Sequence, residues 1–154
     1  MTDSILMIQI NASPERVYAT LADLNGYRDW LSRSRTTAER NQPVGTGASY
    51  IDASLIGTAQ GVVLQCEPDR LLVFHQAAAP RRSGGSRIAI TSRYELMPID
   101  GGTRVLRTGT ILTSGLITAA HVMVVAAVKS ENRRTLRALK DFLERLPGDV
   151  RQIE

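Results

Sequence analysis

The spacing of apolar and polar residues changes period twice along the chain. "SILMIQI", Ser4 to Ile10, alternates and predicts a first strand. In "NASPERVYATLADLNGYRDWLS" the apolar residues Val17, Leu21 and Leu24 recur at helical spacing, Ser13 suits an N-cap, and Pro14 suits the first helical position. "LNG" then breaks that helix, and a short second helix is predicted to carry Tyr27, Trp30 and Leu31. From Thr36 the period falls to two: "TTAERN", "ASYIDASLI", "QGVVLQCEP", "RLLVFHQAA", "RIAITSRYELMP" and "TRVLRTGTIL" read as strands. The turns between them are "PVGTG", Gly57, Pro68-Asp69, the basic loop "PRRSGGS" and the hairpin "IDGGT".

Alternation also assigns faces. Ile51, Ala53 and Leu55 form the apolar set of their strand, which turns Asp52 outward. Ile88, Ile90, Ser92, Tyr94 and Leu96 form the inward set of the cleanest strand, with Glu95 outward, and the parity of His75 is ambiguous. With Asp52 and Glu95 both outward, a paired-carboxylate mechanism has no support. From Leu116 to Leu146 the helical period returns as one long helix. Leu136, Leu139, Leu143 and Leu146 form its buried stripe, which extends back at about 100° per residue through Asn132, Val128 and Val125 to His121. Pro147-Gly148 ends it. The order predicts an α+β domain over residues 1–147, with a loose tail over residues 148–154. An antiparallel sheet with one apolar face needs cover, and only the long helix is long enough to give it.

Composition narrows the function classes. At 154 residues, 43% hydrophobic and 22% charged, the chain has the make-up of one globular domain and not of a disordered segment. Aromatics are only 5%, so the core is mainly aliphatic and alanine. The net charge is +4, but the basic residues are scattered, among them Arg16, Arg28, Arg33, Arg35, Arg81, Arg82, Arg104, Arg133 and Arg134. No basic run is interleaved with stacking aromatics, so no nucleic-acid partner is expected. Cys66 is the one cysteine, which excludes an internal disulfide and a cysteine-rich metal site and reads as a buried structural thiol. The N-terminus reads as a strand and not as a signal peptide. The longest apolar run, "GLITAAHVMVVAAV", spans about 14 residues where a membrane helix needs about 20, so no stable membrane insertion is expected and the protein is expected to be soluble and cytoplasmic. GxGxxG, P-loop and HExxH motifs are absent, so neither metal nor cofactor is expected.

Four phrases in order, "INASPERVYATLADLNGYRDW", "PVGTGASY", "VVLQCEPDRLLVFH" and "YELMPIDGGTRV", together with the terminal helix, resemble the START-like or SRPBCC superfamily. Within it the chain resembles most the polyketide cyclase/dehydrase and lipid-transport group. The resemblance implies a helix-grip fold: a curved antiparallel sheet wraps the C-terminal helix, two short helices follow the first strand, and a cavity between sheet and helix takes an apolar or aromatic molecule. Ligand carriers, aromatase/cyclases and coenzyme Q-binding proteins share such a fold, which by itself does not fix the activity.

The strand carrying Arg107 is the informative departure. Relatives of this type carry large apolar residues at the positions that correspond to Val105, Arg107, Gly109 and Ile111, so the resemblance points Arg107 inward. A buried guanidinium without a partner costs several kcal/mol and would need an acid, carbonyls, water or a ligand oxygen. Arginine suits planar oxyanions such as a carboxylate, phenolate or enolate, and in a cyclase would stabilise the enolate of an aldol-type ring closure. The alternative is reversed parity, or a bulge at Gly109, that returns Arg107 to solvent.

His121 is a candidate general acid/base or a structural histidine near the cavity mouth. Asn132 is a candidate for a ligand carbonyl or for strand backbone. Ser92 and Tyr94, with Val125 and Val128, would line the cavity, and Tyr27 and Trp30 would pack or touch ligand. Met123 and Val124 fall off the buried stripe, either under the cavity entrance or as a patch for a homodimer partner or a membrane surface. "PRRSGGS" is a candidate lid or a plain hairpin loop. Three functions follow: a polyketide cyclase or dehydrase, a non-catalytic carrier of a lipid or quinone, and an interaction module of the same fold.

Overall fold

A computed structural model describes residues 2–31, 36–38, 45–54, 57–79 and 85–145. Strand β1, Thr2–Ile10, is followed by helix α1, Pro14–Ala22, and a 3-10 helix, Leu24–Asp29. Strands β2, Thr36–Ala38, β3, Ser49–Ser54, β4, Gly57–Glu67, β5, Leu71–Ala78, β6, Arg87–Ile99, and β7, Gly102–Ser114, come next. A second 3-10 helix, Gly115–Ala120, leads into helix α2, His121–Arg145. The strands form one antiparallel sheet in the order β1-β7-β6-β5-β4-β3-β2. This is the helix-grip arrangement.

Local chemistry sets the element ends. Ser13 caps α1 by accepting from the Arg16 N–H, with Pro14 at the first helical position. The predicted second helix starts earlier and winds tighter than its apolar spacing suggests. Asp23 caps it by accepting from the Gly26 N–H, so "LNG" opens this 3-10 helix; Trp30 is its C-cap and Leu31 follows it. The long helix likewise begins as a separate 3-10 turn, because Ser86 Oγ accepts from the Ile117 N–H and holds that turn against the start of β6. Gly57 opens β4 and is not a separate turn. The extra residue Leu64 bulges out of the β4–β5 register and is 49% exposed.

The inner face of the sheet and the inner stripe of α2 make the core. Val125, Val128, Asn132, Leu136, Leu139 and Leu143 are the buried residues of α2, as the stripe predicts. Leu136, Leu139 and Leu143 pack with Ile10, Val17, Leu21, Leu72, Leu96 and Val105, while Val125 and Val128 pack with Ile111 in a second cluster. The expected face of β3 is reversed. Tyr50 is 5% exposed and Ile51 49% exposed, so Tyr50 and Asp52 look inward. Cys66 is half-buried, with Thr46 Oγ1 3.4 Å from its sulfur and its hydrogen bond to Tyr18 helping burial push that phenol up to about 12. The later residues of "TTAERN", most of "PRRSGGS", Leu55, Leu146 and the predicted tail lie outside the described residues.

Two ties fix α2 to the end of β1. The Lys140 ammonium donates to Gln9 O at 2.7 Å and to Glu144 Oε2 at 2.8 Å, and the Asn11 N–H donates to the same carboxylate at 2.9 Å. The hydrogen bond from Lys140, helped by that of Asn11, holds the Glu144 carboxyl below the usual carboxylate range. A lowered folded pKa stabilises above the unfolded pKa, and that stability is lost as pH falls through the folded value. The urea midpoint of Glu144→Gln is therefore expected below wild type at neutral pH, with the gap closing under acid conditions below the usual glutamate range. In the core, Leu139→Ala is expected to cost about 2–5 kcal/mol and to lower Tm by about 5–15 °C in a thermal melt.

Candidate functional site

Strand β7 settles the orientation of Arg107. Val105 and Ile111 are 0% exposed and Arg107 is 9% exposed, while the intervening Leu106, Thr108 and Thr110 are only half-buried and Leu112, next along the strand, is 50% exposed. Pairing with β1 and with β6 runs through Gly109 without a shift, so no bulge turns the arginine outward. The register sets Arg107 opposite Tyr94 and Ser92 opposite Gly109. The guanidinium donates from Nη1 to the Tyr94 hydroxyl at 2.6 Å and from Nη2 to Ser92 Oγ at 3.2 Å. Its carbon also lies 4.9 Å from the centroid of the Tyr94 ring. Nε is buried without a partner, and no carboxylate of the described residues forms an ion pair with Arg107. The charge is thus held by two neutral hydroxyls and one ring face, and Nε is the one guanidinium nitrogen left without a partner.

From Arg107 a row of aromatic rings crosses the inner face. Tyr94 and Phe74 meet edge to face at 6.1 Å, and Phe74 and Tyr50 at 5.9 Å. The row reaches β3 because Gly61 stands opposite Tyr50, where a Cβ would collide with the Tyr50 ring. The Tyr50 hydroxyl donates to Gln76 Oε1 at 3.1 Å, Gln76 Nε2 donates to Asp52 Oδ2 at 3.4 Å, and Thr36 Oγ1 donates to Asp52 Oδ1 at 3.3 Å. Burial, then Asp52 and Tyr94, raise the Tyr50 pKa, while Arg107 opposes the rise.

The other predicted residues divide. Tyr27 and Trp30 meet at 4.8 Å with their ring planes tilted by 56°, beside this face. The Tyr27 hydroxyl donates to Leu21 O at 2.6 Å, and burial, Tyr94 and Tyr50 raise its pKa well above the usual value. Trp30 Nε1 is buried with no partner. Asn132 is 4% exposed and lies against Gly109, where an added Cβ would sit 3.4 Å from its Nδ2. Val125 and Val128 pack on Ile111, farther along β7 from Arg107.

His121 stands apart from the arginine. Its Nε2 is 2.8 Å from Thr2 Oγ1 and its Nδ1 2.8 Å from Thr113 Oγ1, so both ring nitrogens are engaged by hydroxyls of β1 and β7. Thr113 lies along β7 from Arg107 by about 20 Å of strand. Met123 is 75% exposed, and Val124 packs against the smaller core cluster. His75 Nδ1 bonds Thr91 Oγ1 at 2.9 Å.

Sequence reasoning missed the far end of the row. Asp52, expected outward, lies inward with Gln76, Thr36, Tyr50 and Phe74. In "ASYIDASLI" the alternate set Ile51, Ala53, Leu55 is the more apolar, so hydrophobicity alone selects the wrong face. The signal available was Gly61, a strand glycine able to seat a large ring from a neighbouring strand. Among the described residues no cluster of histidine, cysteine and acidic side chains could hold a metal ion, and no helix is long and apolar enough to cross a membrane.

The family model for polyketide cyclase / dehydrase and lipid transport matches residues 2–144. The chain belongs to that family. No curated protein sequence matches it. The solved structures similar to this family member include protein MLL2253 of Mesorhizobium loti, at 18% identity and TM-score 0.71, covering 94% of this chain and 98% of that one. The Aha1 dimer of Colwellia psychrerythraea aligns at 21% identity and TM-score 0.65, over 94% of this chain and 98% of that one. BexL, a di-domain ARO/CYC from the BE-7585A biosynthetic pathway, aligns at 18% identity and TM-score 0.74, over 95% of this chain but 51% of its own. At these identities the likeness carries the fold, and this chain spans about half of the di-domain protein.

The unpaired arginine generates a stability test. Replacing a buried charge by an apolar side chain of similar length is often neutral or stabilising. Arg107→Met is expected to match wild type or exceed it by about 1–2 kcal/mol in urea denaturation.

Proposed function

We propose that this protein binds a small hydrophobic or aromatic molecule between the sheet and α2, and that Arg107 holds an anionic or enolisable oxygen of that molecule. The buried guanidinium with neutral partners and a free Nε–H carries this reading. A cation of this kind is costly unless an anion meets it, and no acid of the described residues does. A ligand oxyanion supplies the missing charge, and the planar guanidinium suits a carboxylate, phenolate or enolate. The rings of Tyr94, Phe74 and Tyr50 offer flat apolar contact beside it. Tyr27, Trp30, Asn132, Val125 and Val128 complete the enclosure, and the unpartnered Trp30 Nε1–H can donate to a further ligand oxygen.

Polyketide cyclase- or dehydrase-like chemistry is the elaboration that family membership favours. In an aldol-type closure, the Arg107 and Tyr94 donors would face the oxygen on which negative charge develops, where preorganised donors are most effective. A non-catalytic carrier of a lipid or quinone is the second reading. It is favoured by His121, whose two ring nitrogens are both engaged by threonine hydroxyls. In the cyclase reading the base therefore comes from elsewhere in the chain.

Native mass spectrometry of the purified protein beside Arg107→Met tests the proposal. An acidic or polyketone-like molecule is expected with wild type and is lost, by about tenfold or more in occupancy, in the variant. An apolar lipid retained equally by both proteins would support the carrier and remove Arg107 from the site.

A further inference from the structure

The inner face is polarised from end to end, and the two ends differ in the sign of what they offer. At the β7 end the free groups are donors. Arg107 Nε–H has no partner, and the Tyr94 oxygen accepts from Arg107, which leaves its own proton free to donate. At the β3 end the free groups are acceptors, apart from the second Nε2–H of Gln76. The Tyr50 proton is committed to Gln76 Oε1, so only lone pairs of the Tyr50 oxygen remain. The Asp52 carboxylate accepts two long hydrogen bonds, at 3.3 and 3.4 Å, and forms no ion pair with any described residue. A carboxylate can accept about four hydrogen bonds, so about half its capacity is open. Asp52 is only half-buried, so a ligand can reach it.

The rings of Tyr94, Phe74 and Tyr50 join the two ends, in steps of 6.1 and 5.9 Å. Both poles act on Tyr50: Asp52 raises its pKa and Arg107 lowers it, which places the phenol in the field of each.

We propose that Asp52, held by Gln76 and Thr36, is a second ligand subsite that accepts a hydrogen bond from a hydroxyl or amino group. That group belongs to the same elongated aromatic molecule whose oxyanion meets Arg107. This inference rests on the reading of Arg107 given above and specifies the ligand class: a flat molecule with an acidic or enolisable oxygen at one end and a donor at the other. The opposed poles also fix its direction. A reversed ligand would set its oxyanion against the Asp52 carboxylate and its donor against the Arg107 N–H groups, so each end would be mismatched.

Isothermal titration calorimetry near neutral pH with three probes tests this: 2-naphthoate, its 6-hydroxy derivative and its 6-methoxy derivative. Wild type is expected to bind the hydroxy compound about tenfold more tightly than the methoxy compound, the size expected for a hydrogen bond to a charged acceptor. In Asp52→Ala the ratio is expected to fall to about one while 2-naphthoate, which has no donor for Asp52, still binds, which also shows that the variant folds. Should that variant lose 2-naphthoate, Asp52→Asn keeps the shape and an acceptor for Thr36, and its ratio is expected at least threefold below wild type. A wild-type ratio retained by the Asp52 variant, with all three probes lost in Arg107→Met, would overturn the subsite and leave the Arg107 reading standing. Failure of all three probes to bind wild type would overturn both.

Discussion

A sheet with one apolar face is stable only when that face is covered, and α2 is the cover on which this fold depends. Leu136, Leu139 and Leu143 seal the end near α1, and Val125 and Val128 seal the other end against Ile111. Between them the stripe turns polar at Asn132, where Gly109 gives up its side chain. The ends of the face are thus closed by tight apolar packing, while the polar groups collect between and beside them. The Lys140 and Glu144 ties and the His121 clamp reinforce the helix near its two ends. His121 therefore contributes to the position of the helix, and the polar cluster around Arg107 stands without it.

Burying Arg107 with neutral partners works against stability, and that opposition is the reason to read it as functional. Two hydroxyls and a ring face reduce the desolvation cost without cancelling the charge. A purely structural arginine would be expected to turn its head to solvent or meet an acid. This one does neither, and the strand register on both sides holds it inward.

Most of the fold was legible in the sequence because it rests on long, strongly periodic segments. The α2 stripe could be extended through Asn132 and Val125 by counting turns, and the β6 alternation placed Ser92 and Tyr94 inward. Legibility failed where periodicity was weak or the apolar signal misled. In β3 the more apolar alternate set lies outside, because the inner positions are taken by a tyrosine lying over a glycine and by a hydrogen-bonded aspartate. Single-strand hydrophobicity carries no information about either partner. The direction of Arg107 came from family resemblance and is decided by uninterrupted pairing with two neighbours, which no pattern within one strand contains. The 3-10 turns at Leu24 and Gly115 were missed because caps from Asp23 and Ser86 set them, not apolar spacing.

The misread strand is also the one that changes the chemistry. With Asp52 outward, the inner face would hold a lone cation on an apolar wall, suited to any small acid. With Asp52 inward, the same wall has two ends of opposite character joined by three rings. Gly61 makes that junction, since a side chain there would displace Tyr50 and break both the ring contact to Phe74 and the hydrogen bond to Gln76. A backbone position with no functional group of its own therefore couples the arginine end of the face to the aspartate end.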